Sequence, residues 1–326
     1  MFDFSDLVTV GLVFSALSFG VSVLLIIAQN LLGQGQDYFR ILAYLKVNSV
    51  SALGAWLITG QTGEVLALLA LGLTTSLIAH RVLRDFTIAG RLLLTTNLLL
   101  AIFSLTWGTW FIYSIQVSAI TRTLMLVGYP LLVLNVFVGL ISTFEQWEVL
   151  CRKTWRRPRS PLPPGKLRHY PKVCLQVPAY SEPPDVVIAT LDTISNLRYP
   201  NYEVLVIDNN TKDPNLWKPV EEHCRKLGER FRFFHVDPLN GAKAGALNFA
   251  LKHTAPDAEI IGVVDSDYQV EPDFLDRLVG YFEDPKIGFV QTPHDYREWE
   301  NSTYQKMCYW EYKSFFETTM PSLNER

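Results

Sequence analysis

Cysteine is scarce in this 326-residue chain: Cys151, Cys174, Cys224 and Cys308 are the only four, and they are widely scattered. No Cys-x-x-Cys and no zinc-type spacing occurs, which excludes a thiol redox motif and the common zinc modules. Free, reduced thiols in a cytosolic compartment are expected. Excess charge is lacking as well. Lys and Arg number 29 against 32 Asp and Glu, a net charge of -3, so bulk electrostatics favour neither a nucleic-acid partner nor an acidic substrate. The Gly-x-x-x-x-Gly-Lys-Ser/Thr phosphate loop is absent. Charge of either sign is sparse from residue 1 to about 145, while the remainder has the composition of an ordinary globular domain.

What fills the charge-poor part is apolar. Windows long enough to cross a bilayer fall at roughly 7–29, 41–60, 65–80, 92–115 and 123–144. The first lacks a basic leader and a small-residue cleavage pattern, so it reads as a retained helix; the second contains Lys46 and Asn48. Arg81, Arg84 and Arg91 follow the third window, and Arg152, Lys153, Arg156, Arg157 and Arg159 follow the fifth. Five spans with the N-terminus outside place both basic clusters in the cytoplasm. Residues 1–145 are therefore expected to be a membrane region. Residues 146–171 form a basic, proline-rich connector: seven Lys or Arg and no acid lie between 151 and 170, which suits the surface of an anionic bilayer.

From residue 172 the pattern alternates short apolar runs with helically spaced ones, the sign of βαβ units and a mainly parallel sheet. Strands are expected at Val173–Val177, Val204–Ile207, Phe231–Val236, Ile260–Val264 and Gly288–Gln291, and helices at Asp185–Leu197, 215–228, Lys243–His253 and Pro272–Phe282. The fourth strand empties into Asp265-Ser266-Asp267. Alone, an Asp-x-Asp is more often a solvated turn. Parallel strands, however, deliver all their carboxyl ends to one face. The loops Pro178–Pro183, Asp208–Asn210, Asn240–Gly245 and Asp265–Asp267 are thus expected to converge. Together they offer carboxylates, a tyrosine, and a lysine beside glycines at a helix start, which fits a nucleoside diphosphate with Mg²⁺ or Mn²⁺.

Five stretches in order, Val177–Glu182, the strand end at Asp208, Asn240–Asn248, Asp265–Asp267 and Phe289–His294, resemble the family 2 glycosyltransferases. The resemblance is strongest to the processive synthases of the cellulose synthase type, bacterial β-glucan synthases included. It implies a GT-A domain, Rossmann-like in its nucleotide binding, over residues 172–326 after the transmembrane bundle. It also implies a multi-pass protein of the bacterial inner membrane with a cytoplasmic catalytic domain. Tyr180, Glu182, Asp208, Lys243 and Asp265 would bind the donor nucleotide, Asp267 with Asp265 would hold the metal, and Gln291, Thr292 and Pro293 would line the acceptor path. The implied partners are a UDP-sugar, glucose foremost, a polysaccharide acceptor, the bilayer and accessory synthase subunits, with no nucleic acid.

The resemblance also shows a gap. The Thr-Glu-Asp-like base motif and the Gln-x-x-Arg-Trp acceptor motif of those synthases do not occur before Arg326. No catalytic base is assigned in this chain, whose α/β domain is expected to be incomplete at its C-terminal end. The alternatives are single-sugar transfer to a lipid carrier and a membrane protein that binds a nucleotide sugar without turning it over.

Overall fold

The computed structural model describes residues 3–32, 42–165 and 167–326. The first residue of the second apolar window and Lys166 of the connector lie outside the described residues. Spatial clustering divides the chain into two units, residues 1–159 with 293–326 and residues 160–292.

The first unit opens with five helices: α1 (Phe4–Leu32), α2 (Leu42–Thr59), α3 (Thr62–Val82), α4 (Ile88–Ser114) and α5 (Ala119–Cys151). Four of them, all but α2, are long and apolar enough to cross a membrane. Five such spans were expected. The exception has 18 residues and carries Lys46 and Asn48, and Asn48 is shut inside, donating to the Tyr44 carbonyl (2.8 Å) and the Ser76 hydroxyl (3.2 Å). Small residues set the closest approaches. A Cβ on Gly72 would run into Asn48, and one on Gly90 into Cys151. Arg91, expected in a basic loop, sits in the first turn of α4. Its guanidinium braces the turn between α3 and α4 by donating to the Leu83 (2.7 Å) and Arg84 (3.0 Å) carbonyls.

Residues 293–326, expected as part of the α/β domain, cluster with these helices. They form α10 (Thr303–Ser314), a π-helical turn (Phe315–Thr319) and α11 (Met320–Glu325), which follow α6–α9 described below. The physical tie is ionic. Glu325 accepts from Arg152 (3.3 Å) and from the backbone N–H groups of Arg156 and Arg157 (3.1 and 3.3 Å), and Ser322 bonds Glu148.

The second unit is an α/β layer structure. Strands β1 (Lys172–Ala179), β2 (Tyr202–Asn209), β3 (Phe231–Val236) and β4 (Ala258–Val263) form a sheet in the order β3-β2-β1-β4 with every pairing parallel. Helices α6 (Pro184–Ser195) and α7 (Pro214–Leu227) cover one face, where Leu191 and Val220 pack with Val177 and Val206. Helix α8 (Ala242–His253) covers the other with Ala246 and Ala250 on Cys174, Leu205 and Ile207. Helices on both faces explain why β1 and β2 are apolar runs rather than alternating ones.

Three details depart from the sequence reading. β1 continues through Pro178, because β4 pairing ends at Gln176–Val263 and no ladder partner there needs the missing N–H. The expected strand at Gly288–Gln291 does not form. It has no hydrogen-bonded neighbour among the described residues, and Phe289 is 80% exposed, so it buries no face. The expected helix at Pro272–Phe282 shortens to α9 (Phe274–Leu278) followed by a 3₁₀ turn.

Candidate functional site

Because all four strands run parallel, their carboxyl ends share one edge, and the loops leaving β1, β2 and β4 meet the start of α8 there. They enclose a cleft of about 570 Å³ whose walls include Tyr180, Glu182, Asn210, Lys243, Asp265 and Asp267. Five of the six residues expected at the nucleotide or metal, all but Asp208, line it. Gln291, Thr292 and Pro293 do not line it; Thr292 and Pro293 belong to different units.

The loops hold conformations that cost free energy. Among the described residues four non-glycine positions have positive φ, and three of them, Ser181 (52°), Asn210 (64°) and Ala242 (48°), lie in the loops that form this cleft. Such backbone concentrates where a site over-determines it. Asn210 pins the loop before α8 by exchanging bonds with Leu239, its amide donating to the Leu239 carbonyl (2.7 Å) and its oxygen accepting from the Leu239 N–H (2.8 Å). Gly241, at φ 96°, then folds that loop back onto the first turn of α8. A Cβ on Gly245 would collide with the Asn240 carbonyl oxygen, so the loop reaches the helix only because residue 245 has no side chain. The result presents Lys243 and the N-terminal turn of α8 to the cleft, a ready site for phosphate.

Across the cleft, Lys243 forms an ion pair with Asp265. The turn that follows β4 is anchored to α6, as the Thr190 hydroxyl donates to the Ser266 carbonyl (2.9 Å). Asp267 is exposed on the wall and has no hydrogen bond or ion pair among the described residues. Two carboxylates, one partly neutralised by lysine, do not make a complete cation cage. Among the described residues no group of three or more His, Cys, Asp or Glu side chains is placed to hold a metal. The donor set does fit an ion that takes its remaining ligands from phosphate oxygens and water, as Mg²⁺ commonly does.

Asp208 lies beneath this wall at 4% exposure. Its Oδ1 accepts from the Thr211 hydroxyl (2.6 Å), and its Oδ2 is 2.7 Å from His235 Nδ1. His235 is its register partner on β3 and stacks on Trp217, centroids 4.3 Å apart. Thr211 in turn accepts from the Ser181 N–H (2.8 Å). Sequence reasoning missed Thr211, His235 and Trp217. A threonine three residues past a strand-end aspartate is a local signal for the first, whereas His235 depends on strand register.

A family model, Glycosyl transferase family 2, matches residues 174–325. Residues 174–325 are a glycosyl transferase family 2 domain. Within known glycosyl transferases, a glucomannan 4-beta-mannosyltransferase of Arabidopsis thaliana is 32% identical over 129 residues, covering 37% of this chain and 23% of that protein. The cellulose synthase catalytic subunit of Pseudomonas fluorescens is 29% identical over 250 residues, 74% of this chain and 32% of that protein. The beta-monoglucosyldiacylglycerol synthase of a Synechocystis strain is 35% identical over 127 residues, 37% of this chain and 25% of that protein. The chain thus spans about a quarter to a third of the length of these curated relatives.

Proposed function

We propose that this chain carries the donor-binding part of a membrane-bound, inverting glycosyltransferase that moves a sugar from a UDP-sugar to a growing β-glucan-type polysaccharide. The observation that carries the reading is the convergence of Tyr180, Glu182, Lys243, Asp265 and Asp267 on one cleft at the carboxyl edge of a parallel sheet, in a family 2 glycosyl transferase domain. The similarity to a cellulose synthase subunit over 250 residues supports the polysaccharide branch.

In this reading the uridine end lies against Tyr180 and Glu182, and the diphosphate faces Lys243 and the first turn of α8. Asp267, with Asp265, would hold Mg²⁺ or Mn²⁺, which when bound offsets charge on the departing diphosphate. The acceptor hydroxyl attacks the anomeric carbon, the bond to the UDP oxygen breaks, and the hydroxyl proton passes to a carboxylate base. No Thr-Glu-Asp-like motif supplies that base up to residue 326, so the residues here bind and orient the donor. Gln291, Thr292 and Pro293 are assigned to the acceptor path on the family resemblance alone. The basic clusters after α3 and α5 support a cytoplasmic α/β unit at the inner membrane.

Calorimetric titration of the purified chain with UDP, with and without Mn²⁺, tests the reading alongside Asp267→Ala. Metal-dependent binding that the substitution abolishes is expected. A folded chain that binds no UDP overturns it. The similarity to a glucosyldiacylglycerol synthase favours a second reading, transfer of one sugar to a lipid. In that case incubation with UDP-sugar and lipid vesicles yields a glycolipid rather than a polymer.

A further inference from the structure

Asp208 has the position of a ligand residue but not the exposure of one. Both of its oxygens have protein partners, it is 4% exposed, and it is absent from the cleft wall, which is formed instead by its neighbours Asn209 and Asn210. One of those bonds leads back to the cleft. The Thr211 hydroxyl donates to Asp208 Oδ1 at 2.6 Å and accepts from the Ser181 N–H at 2.8 Å, and Thr211 is 1% exposed. Ser181 stands between Tyr180 and Glu182, both on the cleft wall, and its φ of 52° is one that L-residues seldom hold without support. A hydroxyl that donates to a buried carboxylate is a strengthened acceptor for the next donor in line.

We infer that Thr211 is a positioning residue of the donor cleft: its hydroxyl relays the hold of Asp208 to the Ser181 backbone and so fixes the loop that presents Tyr180 and Glu182. The inference rests on the proposed reading of the cleft as a nucleotide site and deepens it. Asp208 thereby supports the loop from behind the cleft wall. Thr211 touches neither donor nor metal. Loss of its hydroxyl re-aims the nucleoside wall and leaves the phosphate wall, made by Lys243 and α8, in place.

The test compares wild type, Thr211→Val and Thr211→Ser as full chains, titrated by calorimetry with UDP and separately with pyrophosphate, both in Mn²⁺. Thr211→Val keeps the volume and removes the hydroxyl; it is expected to weaken UDP binding about tenfold, with pyrophosphate binding held within about twofold and Thr211→Ser near wild type. Equal UDP affinity in all three chains overturns the inference, and so does an equal loss for both ligands, the mark of a merely structural role. A wild-type chain that binds no UDP defeats the parent reading instead. Amide hydrogen exchange in the wild-type chain gives a measurement that needs no variant. The Ser181 N–H is expected to exchange slowly for a loop amide, and exchange at the rate of an unprotected loop overturns the relay even if Thr211→Val does not fold.

Discussion

In the α/β unit the side chains with no exposure include Val173, Leu175, Val204 and Val206, while α1 shuts away Ser15, Ser18, Ser22 and Gln29 beside Val8, Val10, Phe14 and Ile26. On that same helix Leu24, Ile27 and Leu31 are 65%, 50% and 83% exposed. The contrast is the one expected if the α/β unit faces water and the helical unit sits in a bilayer. Water drives apolar side chains inward, whereas in a bilayer hydrocarbon meets Leu and Ile at no cost and polar side chains gather between helices. Helix α5 takes this furthest, since nothing in its most apolar window is buried. Charge obeys the same division. The α/β unit keeps most ion pairs at its surface, and the helical unit encloses one: Arg152, with side-chain exposure of 10%, between Glu148 at 1% and Glu325 at 3%.

The largest way to break this comparison is to remove that arginine. Arg152→Ala removes the ion-pair partner shared by the buried Glu148 and Glu325 carboxylates and is expected to cost about 3–5 kcal/mol, read as a fall in the thermal midpoint of the purified chain. Its counterpart is Arg225→Ala on α7, whose partner Glu221 is 2.7 Å away but whose own side chain is 69% exposed; the expected loss is below about 1 kcal/mol. Similar losses for the two would show that the Glu148–Arg152–Glu325 cluster is solvated.

A second contrast concerns thiols. Burial pushes the Cys224 thiol up to about 12 and the Cys174 thiol to about 11, the latter eased by the Thr254 hydroxyl. The thiolate is the reactive form, so at pH 8 both are expected to resist alkylation, while Cys308, less buried than the other three, reacts first. Peptide mapping after timed iodoacetamide treatment checks the order, and early labelling of Cys174 or Cys224 contradicts a closed core. The sign of the linked stability is fixed too. An unfolded thiol ionises near 8.5, so these two raised values contribute stability below that pH and lose it as pH climbs toward 11–12.

The third sharpens the site. Gly245→Ala drives a methyl into the Asn240 carbonyl oxygen. The loop carrying Gly241 must then move, and a loss of about 1–3 kcal/mol is expected together with weakened UDP binding, because Lys243 rides on the same turn. Unchanged UDP affinity in this variant would detach Lys243 from the donor.

The legible parts of the molecule were those governed by local pattern. Strand-like runs at Val204–Ile207 and Phe231–Val236 sit where strands form, and Asp265 and Asp267 lie at the mouth because an apolar run ends just before them. What escaped depends on partners far along the chain. Gly288–Gln291 has the composition of a strand and lacks a neighbour to pair with. The inward turn of Asp208 toward His235 depends on which residue of β3 lies opposite. The placement of 293–326 depends on a carboxylate at 325 finding an arginine at 152. Arg91 is a third kind of case: its charge reads as a topology signal, and its guanidinium is spent on the carbonyls of the turn that precedes its own helix.

The smallest expected effect probes the comparison at its outer edge. Apart from its chain neighbours and its own helix backbone, no atom of the described residues stands within 4 Å of a Cβ built on Gly139, which lies mid-helix in α5. If lipid is what covers that face, Gly139→Ala adds a methyl to a tolerant solvent and relieves the helix of a flexible residue. The change is then neutral or stabilising by up to about 1 kcal/mol. If that face instead seats against another polypeptide, the methyl intrudes on a packed surface and stability falls. Thermal unfolding of Gly139→Ala in lipid nanodiscs separates the two, and a loss above about 1 kcal/mol would mean that the exposed leucines of α5 are contact residues waiting for protein rather than for hydrocarbon.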